Sequence, residues 1–330
     1  MKKKLFLAYS STFLFLLISV WLGLSIGSVD IPFSALWDKE ANPRAYSILW
    51  NIRMPRVVLA GLVGASLAMA GAAFQGLLRN PLADPYTIGV SSGASVGAIS
   101  TIFFGISMPM LGSYTLAMFG ILGAFITLII VLSFARLVDK TLKMETLILT
   151  GVIFSAFLSS CISLLTALSH EELKAVVNWL LGSVAMRGWS YVYVLIPFLI
   201  IGALILWFNR RELNVMMYGD ERAISLGVNV VRRKYAVLIG GSVLTGAAVS
   251  VSGTIGFVGL VVPHITRLVW GTDHRHLLPL SFLNGATLLI ICDLVSRIVV
   301  APQELPIGVI TAFIGAPVFA YIFFKQRRKK

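Results

Sequence analysis

The sequence predicts an all-α, polytopic membrane protein of about ten transmembrane helices with short cytoplasmic helices, and three observations carry the membrane-spanning part. Hydrophobic residues make up 58% of the 330 positions, charged ones 12%, and the mean hydropathy is +0.90. A soluble domain must present a largely polar exterior to water and cannot conceal so much apolar surface. Apolar runs long enough to cross a hydrocarbon core of ~30 Å recur along the chain. Lysines and arginines stand at the ends of those runs. The formal charge of +13 therefore reads as orientation in a bilayer, with no nucleic acid as partner.

In chain order the runs fall at 5–27, 57–78, 87–104, 113–137, 146–168, 191–208, 235–251, 256–270, 277–299 and 307–324. The first follows Lys2, Lys3 and Lys4. Its apolar core exceeds the ~7–15 residues of a signal peptide, and Trp21 stands near its far end as an interfacial anchor, so it is expected to remain as a span. Ala60, Gly64, Ala68, Ala72 and Gly76 recur at intervals of four in the second run, as do Gly89, Gly93 and Gly97 in the third and Gly308, Ala312, Ala316 and Ala320 in the tenth. Small residues at that spacing let helix backbones approach closely where lipid supplies no hydrophobic drive, so these faces are expected to pack within the chain. The eighth run is short and contains Pro263, His264 and Arg267, which predicts a broken or partly inserted helix. Cys161 and Cys292 both lie inside apolar runs, so neither a disulfide framework nor a thiolate metal site is expected.

The longest polar interruption in the second half, residues 209–233, reads N-R-R-E-L-N-V-M-M-Y-G-D-E-R-A-I-S-L-G-V-N-V-V-R-R. Gly219 and Gly227 each follow a short helix-forming run, as C-terminal caps do. Asp220 and Glu221 open the second run, where a helix N-terminus favours acids. Two short helices are expected, with Val215, Met216, Met217, Ala223, Leu226 and Val228 available to a soluble partner. A solvated connector is the simpler alternative for these residues alone.

With ten spans, twenty of the 27 basic residues fall on the side that holds both termini and the 209–233 loop, Lys234 and Arg267 among them. The positive-inside rule makes that side cytoplasmic. Arg53, Arg56 and Arg297 fall on the opposite face, against the rule. They read either as side chains snorkelling to lipid phosphates or as a basic collar for an acidic partner. Asp293 and Arg297 stand four apart and can pair across one helical turn.

Chemistry-bearing motifs are sparse. No G-x-x-x-x-G-K-[ST] phosphate loop occurs, so ATP is not bound by that route, and no catalytic constellation, cofactor site or metal site is expected. Asp273, His274 and His276 form the tightest histidine cluster and read as a solvated turn. Nothing resembles the row of intramembrane acids of a proton relay, which disfavours an ATP-independent secondary transporter.

Six stretches together resemble one known family: R-M-P-R at 53–56, R-N-P-L-A-D-P at 79–85, G-V-S-S-G-A at 89–94, N-W-L-L-G-S at 178–183, G-F-V-G-L-V-V-P-H-I-T-R at 256–267 and L-P-I-G-V-I-T-A-F-I-G-A-P-V-F at 305–319. The chain is similar over nearly its whole length to the FecCD-type permease subunits of ABC importers for ferric siderophores, haem and cobalamin. The resemblance implies one permease domain over 1–330, two permease subunits (identical or paralogous) side by side, and a translocation path between them. It implies two cytoplasmic ATP-binding subunits, which carry the ATPase activity, and an extracytoplasmic substrate-binding protein. It implies an iron chelate as cargo, a ferric siderophore first and haem or cobalamin as alternatives. The docking helix would be 219–228, with Gly219, Asp220, Glu221, Arg222, Ala223, Leu226 and Gly227 as contacts to the ATPase. Arg53, Arg56 and Arg297 would receive the binding protein. The cytoplasmic gate region would include Met144, Glu145 and Thr146, beside Lys143, where the family often has small hydroxylated residues.

Overall fold

The computed structural model describes residues 2–27, 40 and 42–327, and every regular element among them is helical. Each of the ten expected spans coincides with a helix: α1 (Lys2–Ser25), α3 (Met54–Leu77), α4 (Val90–Phe103), α5 (Thr115–Val138), α6 (Met144–Leu168), α8 (Gly188–Phe208), α11 (Val230–Ser252), α12 (Val258–Trp270), α13 (His274–Ile298) and α14 (Ile307–Arg327). Among the described residues seven helices are long and apolar enough to cross a membrane, α4 and α12 are shorter apolar helices, and the apolar stretch of α14 described in full runs Ile307–Tyr321. Four short helices were not anticipated as spans: α2 (Pro43–Ile48), α7 (Leu173–Leu180), α9 (Arg210–Met216) and α10 (Asp220–Ser225). A π-helical turn, Leu49–Arg53, joins α2 to α3.

The small-residue faces decide the packing. Helix α3 lies at the centre, against α13, α11 and α12. A methyl group at Gly64 would run into the carbonyl oxygen of Gly285, and one at Gly71 into that of Gly259. Gly93 and Gly97 of α4 sit in the same way against Gly123 and Phe119 of α5. The expectation fails on α14. Gly308 is pressed to the Leu181 carbonyl, yet Ala316 and Ala320 are exposed and Ala312 borders an open groove. That stripe finds no partner helix among the described residues.

At 13 residues, α12 reaches only ~20 Å and cannot cross alone, as its sequence predicted. The irregular stretch before it is satisfied by protein. The Tyr86 hydroxyl donates to the Ile255 carbonyl at 2.8 Å and accepts from the Ile255 N–H at 3.1 Å. Ser183 N–H donates to Ser252 O at 2.7 Å. Backbone that leaves helical geometry inside a bundle of this kind persists only where such partners replace water.

The bundle has two distinct ends. At one end Tyr9, near the start of α1, meets His276 at 3.2 Å, and Asn214 of α9 meets Asp273 at 2.7 Å. At the other, the last turn of α1 meets Arg53 and Arg297. Helices α9 and α10 therefore share an end with the N-terminal side of α1.

Candidate functional site

The 209–233 segment folds as two short helices, with Gly219 at φ +109 and Gly227 at φ +82, conformations that favour glycine. Ile224 and Leu226 are 62% and 71% exposed, and Tyr218, Glu221 and Arg222 are exposed beside them. Asp220 and Gly219 are half-buried at the start of α10. Two anticipated contacts are corrected. Ala223 and Met216 are buried, because one face of each short helix must be spent on holding the segment to the bundle. What remains outward is an apolar knob of Ile224, Leu226 and Tyr218 in a charged surround.

Three polar latches fix this knob to α11 and α13. Asn214 donates from Nδ2 to Asp273 Oδ1, and its Oδ1 accepts from the His274 N–H at 2.8 Å. Asp273 caps α13, and the Arg275 guanidinium holds its carboxyl well below the usual carboxylate range. The Asp273–His274–His276 cluster is thus no solvated turn. His274 is fully buried and stands 2.8 Å from Asn214 Oδ1, while His276 reaches Tyr9. Arg233 pairs with Glu212 at 3.1 Å and donates to Asn209 at 3.0 Å.

The third latch is Lys234. The tally by face treats it as a loop cation, but its side chain is only 1% exposed. Its Nζ donates to Asp220 Oδ2 at 2.6 Å, to Leu142 O at 2.9 Å and to Thr141 O at 3.4 Å. Helical spacing was the missed signal: Val230, Lys234, Val237, Leu238 and Gly241 form one buried face of α11.

The expected gate residues Met144, Glu145 and Thr146 open α6 directly after this contact. Met144 and Thr146 are half-buried and Glu145 is exposed. The preceding turn is shaped by Asp139, which accepts from the Thr141 N–H and hydroxyl and from the Lys143 N–H at 2.7–2.9 Å. Farther along, Ser91, Ser92 and Ser95 of α4 face Ser159 and Ser163 of α6 across a cavity of 290 Å³ that Thr254 also lines. The four-residue spacing of Ser155, Ser159 and Ser163 was legible in the sequence as a hydroxylated face of α6.

At the other end, the expected basic collar is corrected in form. Arg53 and Arg297 are buried, and the Arg56 side chain is only 10% exposed. Arg53 Nη1 donates to the Leu24 and Ser25 carbonyls at 2.8 and 2.9 Å. Arg56 Nε donates to Asp293 at 2.8 Å and its Nη1 to Glu304 at 2.8 Å. Arg297 pairs with the same Asp293 at 3.2 Å, the i,i+4 contact anticipated, and donates to Gly23 O at 3.1 Å. Internal pairing therefore retains cations against the orientation rule. Neither snorkelling nor an outside partner is needed for that. Of the five charged groups, Glu304 is the most accessible, at 44%. Among the basic residues tallied by face, Lys39, Arg328, Lys329 and Lys330 lie outside the described residues.

Comparison with known proteins agrees with this architecture. The model of the FecCD transport family matches residues 15–325. An uncharacterized ABC transporter permease protein of Bacillus subtilis, YvrB, is 56% identical, over 97% of this chain and 94% of its own length. The hemin transport system permease protein HmuU of Yersinia pestis is 39% identical, over 96% of this chain and 95% of its own. A solved structure described as an inward-facing conformation of a metal-chelate type ABC transporter superposes with a TM-score of 0.86 at 35% identity, covering 98% of this chain and all of the other. Helix count, membrane-crossing length, paired short helices and whole-length similarity converge, and the chain is a multi-pass membrane protein of the FecCD transport family.

Proposed function

We propose that this chain is the permease subunit of an ABC importer that moves an iron chelate, a ferric siderophore first, from an extracytoplasmic binding protein into the cytoplasm. The observation that carries the proposal is the knob on α10. Ile224, Leu226 and Tyr218 stand exposed together at the end of the bundle that holds α9, α10 and the N-terminal side of α1. Exposed apolar surface ringed by charge, latched to α11 and α13, suits a soluble subunit that must push on the bundle. Two ATP-binding subunits close on ATP, α10 transmits that closure, and the path between two permease subunits changes the side to which it opens. Gly219, Asp220, Glu221, Arg222, Leu226 and Gly227 form the coupling surface, with Ala223 as its anchor. Met144, Glu145 and Thr146 border the cytoplasmic exit. Both termini are cytoplasmic in this arrangement.

The hydroxyl-lined cavity between α4 and α6 supports an oxygen-rich chelate, since Ser91 and Ser92 of α4 and Ser159 and Ser163 of α6 offer hydrogen bonds from both sides. Haem is the second substrate reading, favoured by the whole-length similarity to a hemin permease. On the far face Arg56 is the docking residue of choice, because an acid on the binding protein can exchange with exposed Glu304. Arg53 and Arg297 hold Arg56 in place through α1 and Asp293.

Co-expression with the ATP-binding protein tests the proposal. The two chains are expected to co-elute in detergent, and Leu226→Asp or Ile224→Asp to abolish co-elution while the permease stays monodisperse. Co-elution unaffected by both changes, or uptake that proceeds without ATP, contradicts it.

A further inference from the structure

We propose that Lys234 is the positioning residue that ties α10 to the turn opening α6, so that movement of the coupling helix reaches the gate region through one ammonium group. This rests on the coupling role proposed for α10.

The geometry is specific. An ammonium has three N–H donors, and Lys234 Nζ has three acceptors within reach: Asp220 Oδ2 on α10 and the carbonyl oxygens of Thr141 and Leu142. The group lies on α11 and joins α10 to the turn before α6. At 1% exposure the ammonium is shielded from solvent, so loss of a partner is strongly resisted. The alternative link from α10 is weaker, since Arg79, itself 40% exposed, meets Asp220 only at 3.7 Å.

The turn on the receiving side is built to move as a block. Asp139 closes it through three hydrogen bonds, and Leu142 is held at φ +50 with its side chain fully buried. A β-carbon residue keeps that left-handed conformation only where its surroundings dictate it. The buried leucine and the Lys234 contact to its carbonyl do so here. Met144 begins α6 two residues later. A displacement of Asp220 is therefore passed to the first turn of α6. The other two latches lead elsewhere, Asn214 to α13 and Glu212 to Arg233.

The test uses the permease assembled with its ATPase subunits in proteoliposomes. Lys234→Met keeps the aliphatic stem and removes the charge. Uptake per ATP hydrolysed is expected to fall about 5-fold or more, the lower range of site-to-site coupling, while assembly and hydrolysis persist. Asp220→Asn is expected to fall similarly, and the double variant no further than either single change. A wild-type ratio in Lys234→Met, or additive losses in the double variant, overturns the proposal. Should Lys234→Met fail to assemble, spin labels at Lys140→Cys and Ser225→Cys decide, with Cys161 and Cys292 replaced. Their separation is expected to hold through the ATP cycle in the parent and to change in Asp220→Asn. A separation that changes equally in both overturns the strut. Absence of ATP-driven uptake by the unmodified assembly removes the underlying function, and the proposal with it.

Discussion

Replacing Asp293 by Asn is the most demanding perturbation the bundle offers. Its carboxylate is fully buried, 2.8 Å from Arg56 Nε and 3.2 Å from Arg297 Nη2, and those guanidiniums are 10% and 6% exposed. Removing the shared anion strands two buried cations. One broken buried pair typically costs ~3–5 kcal/mol. Carbonyl oxygens of Gly23 and Ile26 still solvate Arg297, and Glu304 still holds Arg56, which favours the lower end of that range. A loss of about 3 kcal/mol is roughly a hundredfold in the folded-to-unfolded ratio. Reversible unfolding in mixed micelles, followed by tryptophan fluorescence, measures it. Glu304→Gln is the internal control: its partner is shared but its carboxylate is 44% exposed, so no more than ~1 kcal/mol is expected. Adding Arg56→Met to Asp293→Asn should recover part of the loss, because it removes one stranded cation. If Asp293→Asn costs no more than Glu304→Gln, the buried cluster does not hold α1, α3 and α13 together as described.

Three further expectations follow from separate parts of the molecule. Gly71→Ala drives a methyl into the Gly259 carbonyl and should cost about 1–3 kcal/mol, whereas Gly256→Ala, with nothing within 4 Å, should lie within ~0.5 kcal/mol of the parent in the same unfolding assay. Tyr86→Phe leaves the Ile255 N–H and carbonyl without their partner and should cost about 1–3 kcal/mol, read the same way. The Asp139 carboxyl is held down to about 2 by the Thr141 hydroxyl, with the Lys143 and Thr141 N–H groups assisting. Its folded value lies below the ordinary ~3.9, so its support of the turn is complete above that value and is lost as pH falls through about 2. Carbon-13 titration of the side chain in micelles should give that low midpoint, and one near ~3.9 would contradict the turn geometry.

The spans were legible because hydropathy acts over about twenty residues and averages out local irregularity. Gly219 and Gly227 marked α9 and α10 for the same kind of reason, since a positive φ restricts residue choice wherever it occurs. Partner choice was not legible. Arg53, Arg56 and Arg297 read as an outward collar, yet Arg56 pairs with Asp293 and Glu304, 237 and 248 residues away, and Arg53 is taken up by carbonyls of α1. By charge alone Lys234 belongs with the loop cations, whereas its helical position places it on the buried face of α11. Ala223 and Met216 were assigned outward since short helices carry too few residues for a periodicity to declare which face is inward. The small-residue stripe of α14 met no neighbour, because residue spacing specifies that a close contact can form and not with what.

The central claim is that α9 and α10 face the cell interior. Cysteine at an exposed knob position, Leu226→Cys in a chain with Cys161 and Cys292 replaced, is to be probed with a membrane-impermeant maleimide. The account predicts labelling in inside-out vesicles and none in intact cells, with bound ATPase subunits reducing the rate in the vesicles. Labelling in intact cells would contradict it.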